Sequence, residues 1–192
     1  MKKILIVQGN TKTTSFCSAI ADEYEKGASG SGFETRRIDI GKLKFDPILL
    51  EGYSKRQELE EDLIKAQEDI RWCTHLVLIY PTWWGYMPAA LKGFFDRALL
   101  PGFGFKYRKN SILWDKLLKG RSARIITTTG GPKWYYDFVL FGGGARVAKK
   151  IVLEFCGFTP VKVTQIPSAE RMSGRKRSRW LEKVKKNGMK GN

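Results

Sequence analysis

Short apolar runs alternate along the chain with longer segments in which apolar residues recur every three or four positions. Residues 3–8 (KILIVQ) and 75–80 (HLVLIY) are almost continuously apolar, which is typical of strands covered on both faces. Three further segments are rich in apolar or β-branched residues and bounded by turn residues: 34–40, 124–129 and 161–166. The pattern therefore predicts five strands.

The segments between these strands have helical spacing. Ser15, as an N-cap, opens residues 15–27, in which apolar residues recur every four positions. Residues 57–72 repeat the pattern, and Pro88 opens a helix over residues 88–99. Two more helices are predicted, one within residues 138–155 beyond the triple glycine at 142–144, and a basic one at the C-terminus.

Strands that alternate with helices predict an α/β fold, a doubly wound parallel sheet with helices on both faces. No internal repeat and no linker precedes residue 170, so we expect one domain over residues 1–170, to which residues 171–192 add a basic C-terminal helix or tail. In such a sheet, ligands bind at the carboxyl ends of the strands. The loops that follow the strands are therefore where we expect the chemistry.

The charge of the chain is unusual and unevenly distributed. With 192 residues, of which 42% are hydrophobic, the chain is not a disordered basic protein. It carries 35 Lys and Arg against 19 Asp and Glu, a net charge of +16, which suggests nucleic acid, an anionic membrane surface or an acidic ligand. Nine basic residues and one acidic residue follow Glu170, so half of the net charge lies in the last 22 residues.

Thiol and imidazole groups are few. Cys17, Cys73 and Cys156 lie far apart and have neither the pattern of a disulfide framework nor that of a zinc site. His75 is the only histidine and begins a buried strand, so we expect it to be structural, and we expect no metal site. No apolar run approaches the roughly 20 residues that span a bilayer. The N-terminus turns polar too soon for a signal peptide, so we expect a cytoplasmic protein.

Three strand ends lead into loops that suit different parts of a ligand. Residues 9–16 (GNTKTTSF) are rich in hydroxyl groups and run into a helix, which suits a phosphate or an ordinary capped turn. Residues 81–88 (PTWWGYMP) hold adjacent tryptophans, which form a stacking wall, a lid over the core or a dimer contact. Residues 127–136 (TTTGGPKWYY) hold adjacent glycines, which allow close approach of a ligand to the backbone or only a tight turn.

These loops carry a family resemblance. The segment LVLIYPTWWGYMPAALKGFFDRALLPGFGF at residues 76–105, with TTGGP at 128–132 and EFCGF at 154–158, resembles the flavodoxin-like NAD(P)H:quinone oxidoreductases of the bacterial modulator-of-drug-activity and potassium-efflux ancillary reductase type. The resemblance covers about residues 3–170. It implies a flavodoxin-like five-stranded sheet of order 2-1-3-4-5 and a tightly held flavin, FAD slightly favoured over FMN. It also implies a homodimer with its active site at the subunit interface.

The resemblance also implies which residues hold the flavin. Its phosphate loop falls on Asn10, Thr14, Ser15, Phe16 and Cys17. Its loop against the flavin ring falls on Pro81, Thr82, Trp83, Trp84 and Gly85. Its second flavin loop falls on Thr128, Thr129, Gly130, Gly131 and Tyr136. Mammalian members have a histidine at the position of Asn10 and another after the TTGG loop. Because this chain has neither, any catalytic proton relay would use Tyr136 or solvent.

The implied activity is the flavin-dependent oxidation of NAD(P)H. A nicotinamide stacks on the flavin, donates hydride to N5 and leaves, and a quinone or similar small acceptor then takes its place in a ping-pong cycle. Two alternatives stay open: a flavin-binding regulatory or electron-carrier module that docks a partner through its basic surface, and nucleic-acid binding through the tail, which we do not expect. The tail cations otherwise form a solvated helix face, or attract the phosphates of NADPH or of a flavin.

Overall fold

The computed structural model describes all 192 residues, Met1–Asn192. Its strands are β1 (Lys3–Gln8), β2 (Glu34–Asp39), β3 (His75–Pro81), β4 (Phe105–Tyr107), β5 (Trp114–Lys116), β6 (Ser122–Thr128) and β7 (Val161–Ile166). Its helices are α1 (Phe16–Ser29), α2 (Glu61–Trp72), α3 (Ala89–Ala98), α4 (Gly143–Val147), α5 (Glu154–Cys156) and α6 (Gly174–Lys190). A 3₁₀ turn (Ile40–Lys42) and two π-helical segments (Tyr135–Val139 and Ala148–Leu153) complete the regular structure.

Five parallel strands form the main sheet in the order β2-β1-β3-β6-β7. Numbered among themselves along the chain, they have the order 2-1-3-4-5, so the predicted doubly wound sheet is confirmed. The short antiparallel hairpin β4–β5 was not predicted. Residues 75–80 are all buried, as their continuous apolar run requires, because the central strand β3 is covered on both faces.

Two hydrophobic cores lie on the two faces of the sheet. The smaller core packs Val77 and Ile79 of β3 against α1 and α6. The larger core packs Leu76, Leu78 and Tyr80 against α2, α3 and the helical segment of residues 143–156. Successive side chains of β3 thus enter opposite cores, as the pleat of a strand dictates. No helix combines the length and the apolar composition needed to cross a membrane.

The basic C-terminal segment is a helix packed on the first helix of the chain. A Cβ built on Gly27 would lie 2.2 Å from the carbonyl oxygen of Lys185, and one built on Gly188 would lie 2.2 Å from that of Tyr24. The backbones of α1 and α6 are therefore in direct contact, and Val184 is fully buried between them and the sheet. The helix predicted for this segment is confirmed.

Two helix boundaries differ from those predicted. Helix α2 begins at Glu61 rather than at residue 57, because the Gln57 side chain bonds the backbone of Ile48 and Leu50 and holds the preceding loop. The helix expected beyond the triple glycine begins inside it, at Gly143, and is largely π-helical. Side-chain hydrogen bonds and local backbone geometry set these boundaries. Neither can be predicted from the spacing of apolar residues.

Candidate functional site

The three loops predicted to form the site meet at the carboxyl edge of the sheet. The Thr82 N–H donates to the Thr128 carbonyl at 2.7 Å, and the hydroxyls of Thr82 and Thr127 are hydrogen-bonded at 2.7 Å. The Cys17 sulfur lies 3.6 Å from the Thr128 hydroxyl oxygen. The structure thus joins the first and second loops through the end of β6.

In the first loop, Asn10 shapes the backbone. Its N–H donates to Oε1 of Gln8 at 2.9 Å, and its Oδ1 accepts from the N–H of Lys12 at 3.1 Å. Asn10 is itself buried. The Asn10 oxygen is therefore engaged in fixing the turn that leads towards α1.

The N-terminus of α1 presents unpartnered donors. Ser15 and Ser18 form a reciprocal capping box, with the Ser18 N–H on the Ser15 hydroxyl at 3.1 Å and the Ser15 N–H on the Ser18 hydroxyl at 2.8 Å. The N–H groups of Thr14, Phe16 and Cys17 donate to no protein acceptor. They lie at the positive end of a 14-residue helix, where an anion is stabilised.

The backbone N–H of Cys17 is one of the unpartnered donors, whereas its side chain is part of the hydrophobic core. The sulfur packs in the smaller hydrophobic core, and the residue is 2% exposed. Burial raises the pKa of the Cys17 thiol to about 11, although the Thr128 hydroxyl opposes this shift. The side chain is therefore a neutral thiol at physiological pH, and only the N–H belongs to the donor set.

The tryptophan loop is a tight hairpin. Trp83 and Tyr86 exchange two backbone hydrogen bonds of 2.8 and 2.9 Å around a two-residue turn. Both central residues have left-handed backbone, with φ of 50° at Trp84 and 76° at Gly85, as a type I′ turn requires. Trp84 is fully exposed, so its ring contacts almost no protein and does not cover the core.

The glycine loop also presents unpartnered donors. The buried Thr129 holds it in place, with its N–H on the Ile166 carbonyl at 3.0 Å and its hydroxyl on the Gly131 carbonyl at 3.1 Å. The N–H groups of Gly130 and Gly131 donate to no protein acceptor. A Cβ built on Gly130 would meet no protein atom within 4 Å, so packing within the chain does not demand a glycine there. The space beside Gly130 is therefore open.

Tyr136 lies beside this loop. A Cβ built on Gly131 would lie 3.3 Å from the Tyr136 ring, and the Tyr136 carbonyl accepts from the Gly142 N–H at 2.7 Å. The Tyr136 hydroxyl has no protein hydrogen-bond partner, so it is free to bond a ligand. Lys133, one turn earlier, is ion-paired with Asp137.

An apolar surface surrounds the loops. We define the aromatic surface as six exposed residues: Trp84, Trp134, Phe138, Phe141, Val147 and Ile151. At one end it continues into a cavity of about 400 Å³, to which Tyr86, Val147 and Ile151 contribute. A larger cavity of about 450 Å³ lies between residues 49–71 and 100–103, and it shares no residue with the three loops. Exposed apolar side chains in such number near one site are typical of an interaction surface.

His75 lies at the amino end of β3, away from the loops. Its Nδ1 is 2.7 Å from the Ser122 hydroxyl oxygen, while the buried Nε2 has no partner. Burial lowers the pKa of His75 to about 3, assisted by the charges of Lys2, Arg124 and Lys162. As expected from the sequence, this histidine is a structural group, neutral at physiological pH.

One residue that the sequence did not single out lies beside the first loop. The Arg177 guanidinium is 5.2 Å from the centre of the Phe16 ring and donates to the Ala169 carbonyl at 3.0 Å. The C-terminal segment holds several cations, and the sequence does not distinguish Arg177 from the others. Its position beside Phe16 becomes apparent only from the tertiary packing.

Comparison with known proteins agrees with this architecture. A family model described as a flavodoxin-like fold matches residues 2–187. The chain is 30% identical over 182 residues to the ribosyldihydronicotinamide dehydrogenase (quinone) of Homo sapiens, covering 82% of this chain and 78% of that protein. It is 25% identical over 183 residues to NAD(P)H dehydrogenase (quinone) 1 of Cavia porcellus, covering 82% of this chain and 66%, just under two thirds, of that protein. The solved structure of Smu.1420 from Streptococcus mutans UA159 is 32% identical, with a TM-score of 0.82, and the match covers 98% of this chain and 99% of that one.

Proposed function

The chain belongs to the family of proteins with a flavodoxin-like fold, and on that premise we propose that it is a flavin-dependent NAD(P)H oxidoreductase that reduces quinones or similar small acceptors. The observation that carries the proposal is the pair of unpartnered donor sets at the carboxyl edge of one sheet. The first set is the N–H groups of Thr14, Phe16 and Cys17, and the second is those of Gly130 and Gly131.

The residues of the loops fit a flavin nucleotide. A phosphate needs several N–H donors at a helix N-terminus, which the first loop offers. A flavin ring needs a flat apolar neighbour and hydrogen-bond donors at its polar edge, and these are offered by the tryptophan hairpin and by Gly130 and Gly131. The space beside Gly130 is open in the absence of a Cβ.

Each loop then has a distinct task. When bound, a flavin accepts a hydride from a nicotinamide and passes it to the acceptor, in our proposal by ping-pong hydride transfer through N5. The N–H groups of Gly130 and Gly131 favour negative charge on the ring, because they are fixed donors that need no reorganisation. The backbone of residues 82–85 would hold the opposite edge of the ring, and the Tyr136 hydroxyl, which no protein group engages, would carry the proton.

We further propose that the molecule is a homodimer whose active site lies at the subunit interface. The aromatic surface supports this, because it includes Trp84 of the tryptophan hairpin and exposes large side chains, such as Phe138 and Phe141, that a monomer leaves in water. Sedimentation equilibrium tests the proposal. A dimer is expected at micromolar concentration, and a strictly monomeric protein would contradict it.

The quinone acceptor is proposed because both curated relatives are named as quinone dehydrogenases. Steady-state oxidation of NADH and NADPH with menadione, after reconstitution with FMN or FAD, tests the activity. We expect turnover with parallel double-reciprocal lines, the pattern of two substrates that use one place in turn. A protein that binds flavin but oxidises neither nucleotide would instead be a flavin-binding regulatory or electron-carrier module.

A further inference from the structure

The cavity of about 450 Å³ is bounded on one side by a loop that is hydrogen-bonded to α3. We define the strap as residues 46–60, which precede α2. The fully buried guanidinium of Arg97, on α3, donates to the Glu58 carbonyl at 2.7 Å and to the Glu60 carboxylate at 2.9 Å. The Gln57 side chain bonds the backbone of the strap itself. The cavity wall is therefore held by specific hydrogen bonds.

One end of this cavity lies at the amino edge of the sheet, away from the three loops. Arg71, in the last turn of α2, lines the cavity, and its carbonyl accepts from Nη2 of Arg121 at 2.8 Å. Arg121 directly precedes β6, so this end of the cavity lies where the parallel strands begin. The cavity is thus separate from the candidate site at the carboxyl edge.

The lining of the cavity is positively charged and contains no carboxylate. Its cations are Lys55, Arg56 and Arg71, and none of them takes part in an ion pair. The basic composition of the chain does not by itself explain this, because another cavity, of about 350 Å³, is lined by three cations and three carboxylates. These are Arg37, Lys42 and Lys65 with Asp39, Asp62 and Asp69. The uncompensated charge of the larger cavity therefore favours an anionic ligand.

Arg71 is the cation whose position is fixed by a contact. Its guanidinium lies over the ring of the buried Phe103, 4.7 Å from the ring centre. No protein acceptor engages its side chain, so its five N–H donors are available to a ligand. The C-terminal end of a helix disfavours an anion, but Arg121 brings a further cation to this end of α2. The planar fork of Arg71 suits a carboxylate.

The remaining walls of the cavity are largely apolar. Its hydrophobic residues are Leu49, Tyr53, Leu59, Leu100 and Phe103. A volume of about 450 Å³ is in the range of cavities that hold small organic molecules. Apolar walls beside unpaired cations suit a ligand that has an apolar body and an anionic group.

We propose that this cavity is a second ligand site, which binds a small aromatic carboxylate. The carboxylate bonds the guanidinium of Arg71, and the aromatic ring packs against Tyr53 and the leucines of the wall. Lys55 and Arg56 add attraction at longer range. The inference goes beyond the proposed function, because the cavity uses none of the three loops and its occupation does not require a flavin.

The test uses cinnamate and its uncharged amide, cinnamamide, as probes on the purified protein. Amide NMR spectra report where each probe binds, since Gly52 and Gly102 line the cavity and Gly130 lies at the proposed flavin site. The variants are Arg71→Gln, Arg71→Lys and, as the matched control, Arg179→Gln. Arg179 is exposed on α6, which packs on the other face of the sheet. Thermal unfolding of each variant reports whether the fold is intact.

We expect cinnamate to shift the amide signals of Gly52 and Gly102 and to bind more tightly than cinnamamide. Arg71→Gln is expected to weaken cinnamate binding about fivefold at low salt and to leave cinnamamide binding unchanged. Arg71→Lys should recover part of this loss, because it keeps the charge without the planar fork. Arg179→Gln should match the unaltered protein.

Three results would overturn the inference. They are the absence of shifts at Gly52 and Gly102 with millimolar cinnamate, equal affinities for the two probes, and equal cinnamate affinities for Arg71→Gln and Arg179→Gln. Shifts confined to Gly130 would likewise place the probe at the carboxyl edge and contradict the proposal. A flavin titration of the same protein tests the proposed function separately, since it should shift Gly130 and leave Gly52 unchanged.

Discussion

Gly144 is in direct backbone contact with Gly85: a Cβ built on Gly144 would lie 2.2 Å from the Gly85 carbonyl oxygen. Gly85 is the second central residue of the tryptophan hairpin, and Gly144 belongs to the segment that follows the glycine loop. The contact therefore connects the tryptophan hairpin to the helical segment that follows the glycine loop, and it tolerates no side chain at residue 144.

Substitution of Gly144 is expected to disturb the site. In Gly144→Ala, either the hairpin or the helical segment must move, at a cost of about 2 kcal/mol in the free energy of unfolding. Flavin affinity falls too, because the hairpin is displaced. Gly143→Ala is the matched control, since its Cβ meets nothing within 4 Å. Urea unfolding and flavin titration of both variants make the comparison, and equal behaviour would show that the contact has no such role.

Substitution of Gly130 is expected to affect flavin binding and to leave the stability of the apoprotein unchanged. Because a Cβ there meets no protein atom within 4 Å, Gly130→Ala is expected to leave the free energy of unfolding of the apoprotein almost unchanged. In the proposed bound state the added methyl group would lie where the flavin approaches the backbone, so flavin binding is expected to weaken by about 1–2 kcal/mol. Calorimetric titration with FMN and FAD measures this. Unchanged flavin affinity would contradict the proposed contact between the flavin and this loop.

Trp84 is expected to lower the free energy of unfolding of the monomer and to favour self-association. A bulky residue at φ of 50° is strained, and the ring gains nothing from the chain because it is fully exposed. Trp84→Asn should stabilise the monomer by about 0.5–1 kcal/mol, since asparagine adopts this backbone more readily. The same variant should weaken the dimer in sedimentation equilibrium.

Ile112→Asn is the matched control for Trp84→Asn. Ile112 is 93% exposed and lies outside the aromatic surface. Its substitution removes an exposed apolar side chain at ordinary backbone geometry, so neither gain in stability nor loss of self-association is expected. If both variants changed self-association equally, the proposal that the aromatic surface forms the dimer interface would be contradicted.

The sequence was most informative where burial dictates residue type. Strand β3 is apolar at almost every position because both its faces are covered, so its run was recognisable without the structure. The hairpin β4–β5 was not predictable from the sequence, because its strands have three residues each and most of its side chains are solvent-exposed or only partly buried. Elements this short have no measurable period.

The site was predictable as a set of loops and not as a set of contacts. Adjacent tryptophans and glycines at strand ends indicated which segments to consider. The type I′ turn at Trp84 was hidden, because such turns usually carry asparagine or glycine at that position. The approach of Arg177 to Phe16 was hidden as well, since it depends on the crossing of α1 and α6.

His75 should make stability depend on pH. Its pKa is about 3 in the folded protein, against an ordinary value of 6.5, because burial disfavours the charged ring. The unfolded chain therefore binds a proton that the folded protein does not, and stability is lost as the pH falls from 6.5 towards 3, by up to about 1.4 kcal/mol per pH unit. His75→Gln lacks this contribution. The difference in unfolding free energy between the two proteins should shift accordingly between pH 7 and pH 4, and a constant difference would contradict the assignment.

The most direct test of the central claim, that the carboxyl edge of this sheet holds a flavin, is the visible absorption spectrum of the purified protein. We expect flavin bands in the protein as isolated or after incubation with FMN or FAD and removal of free ligand, with mass spectrometry identifying the flavin released. Gly130→Ala, folded but binding more weakly, should show reduced bands. A colourless protein that neither flavin can reconstitute would contradict the account.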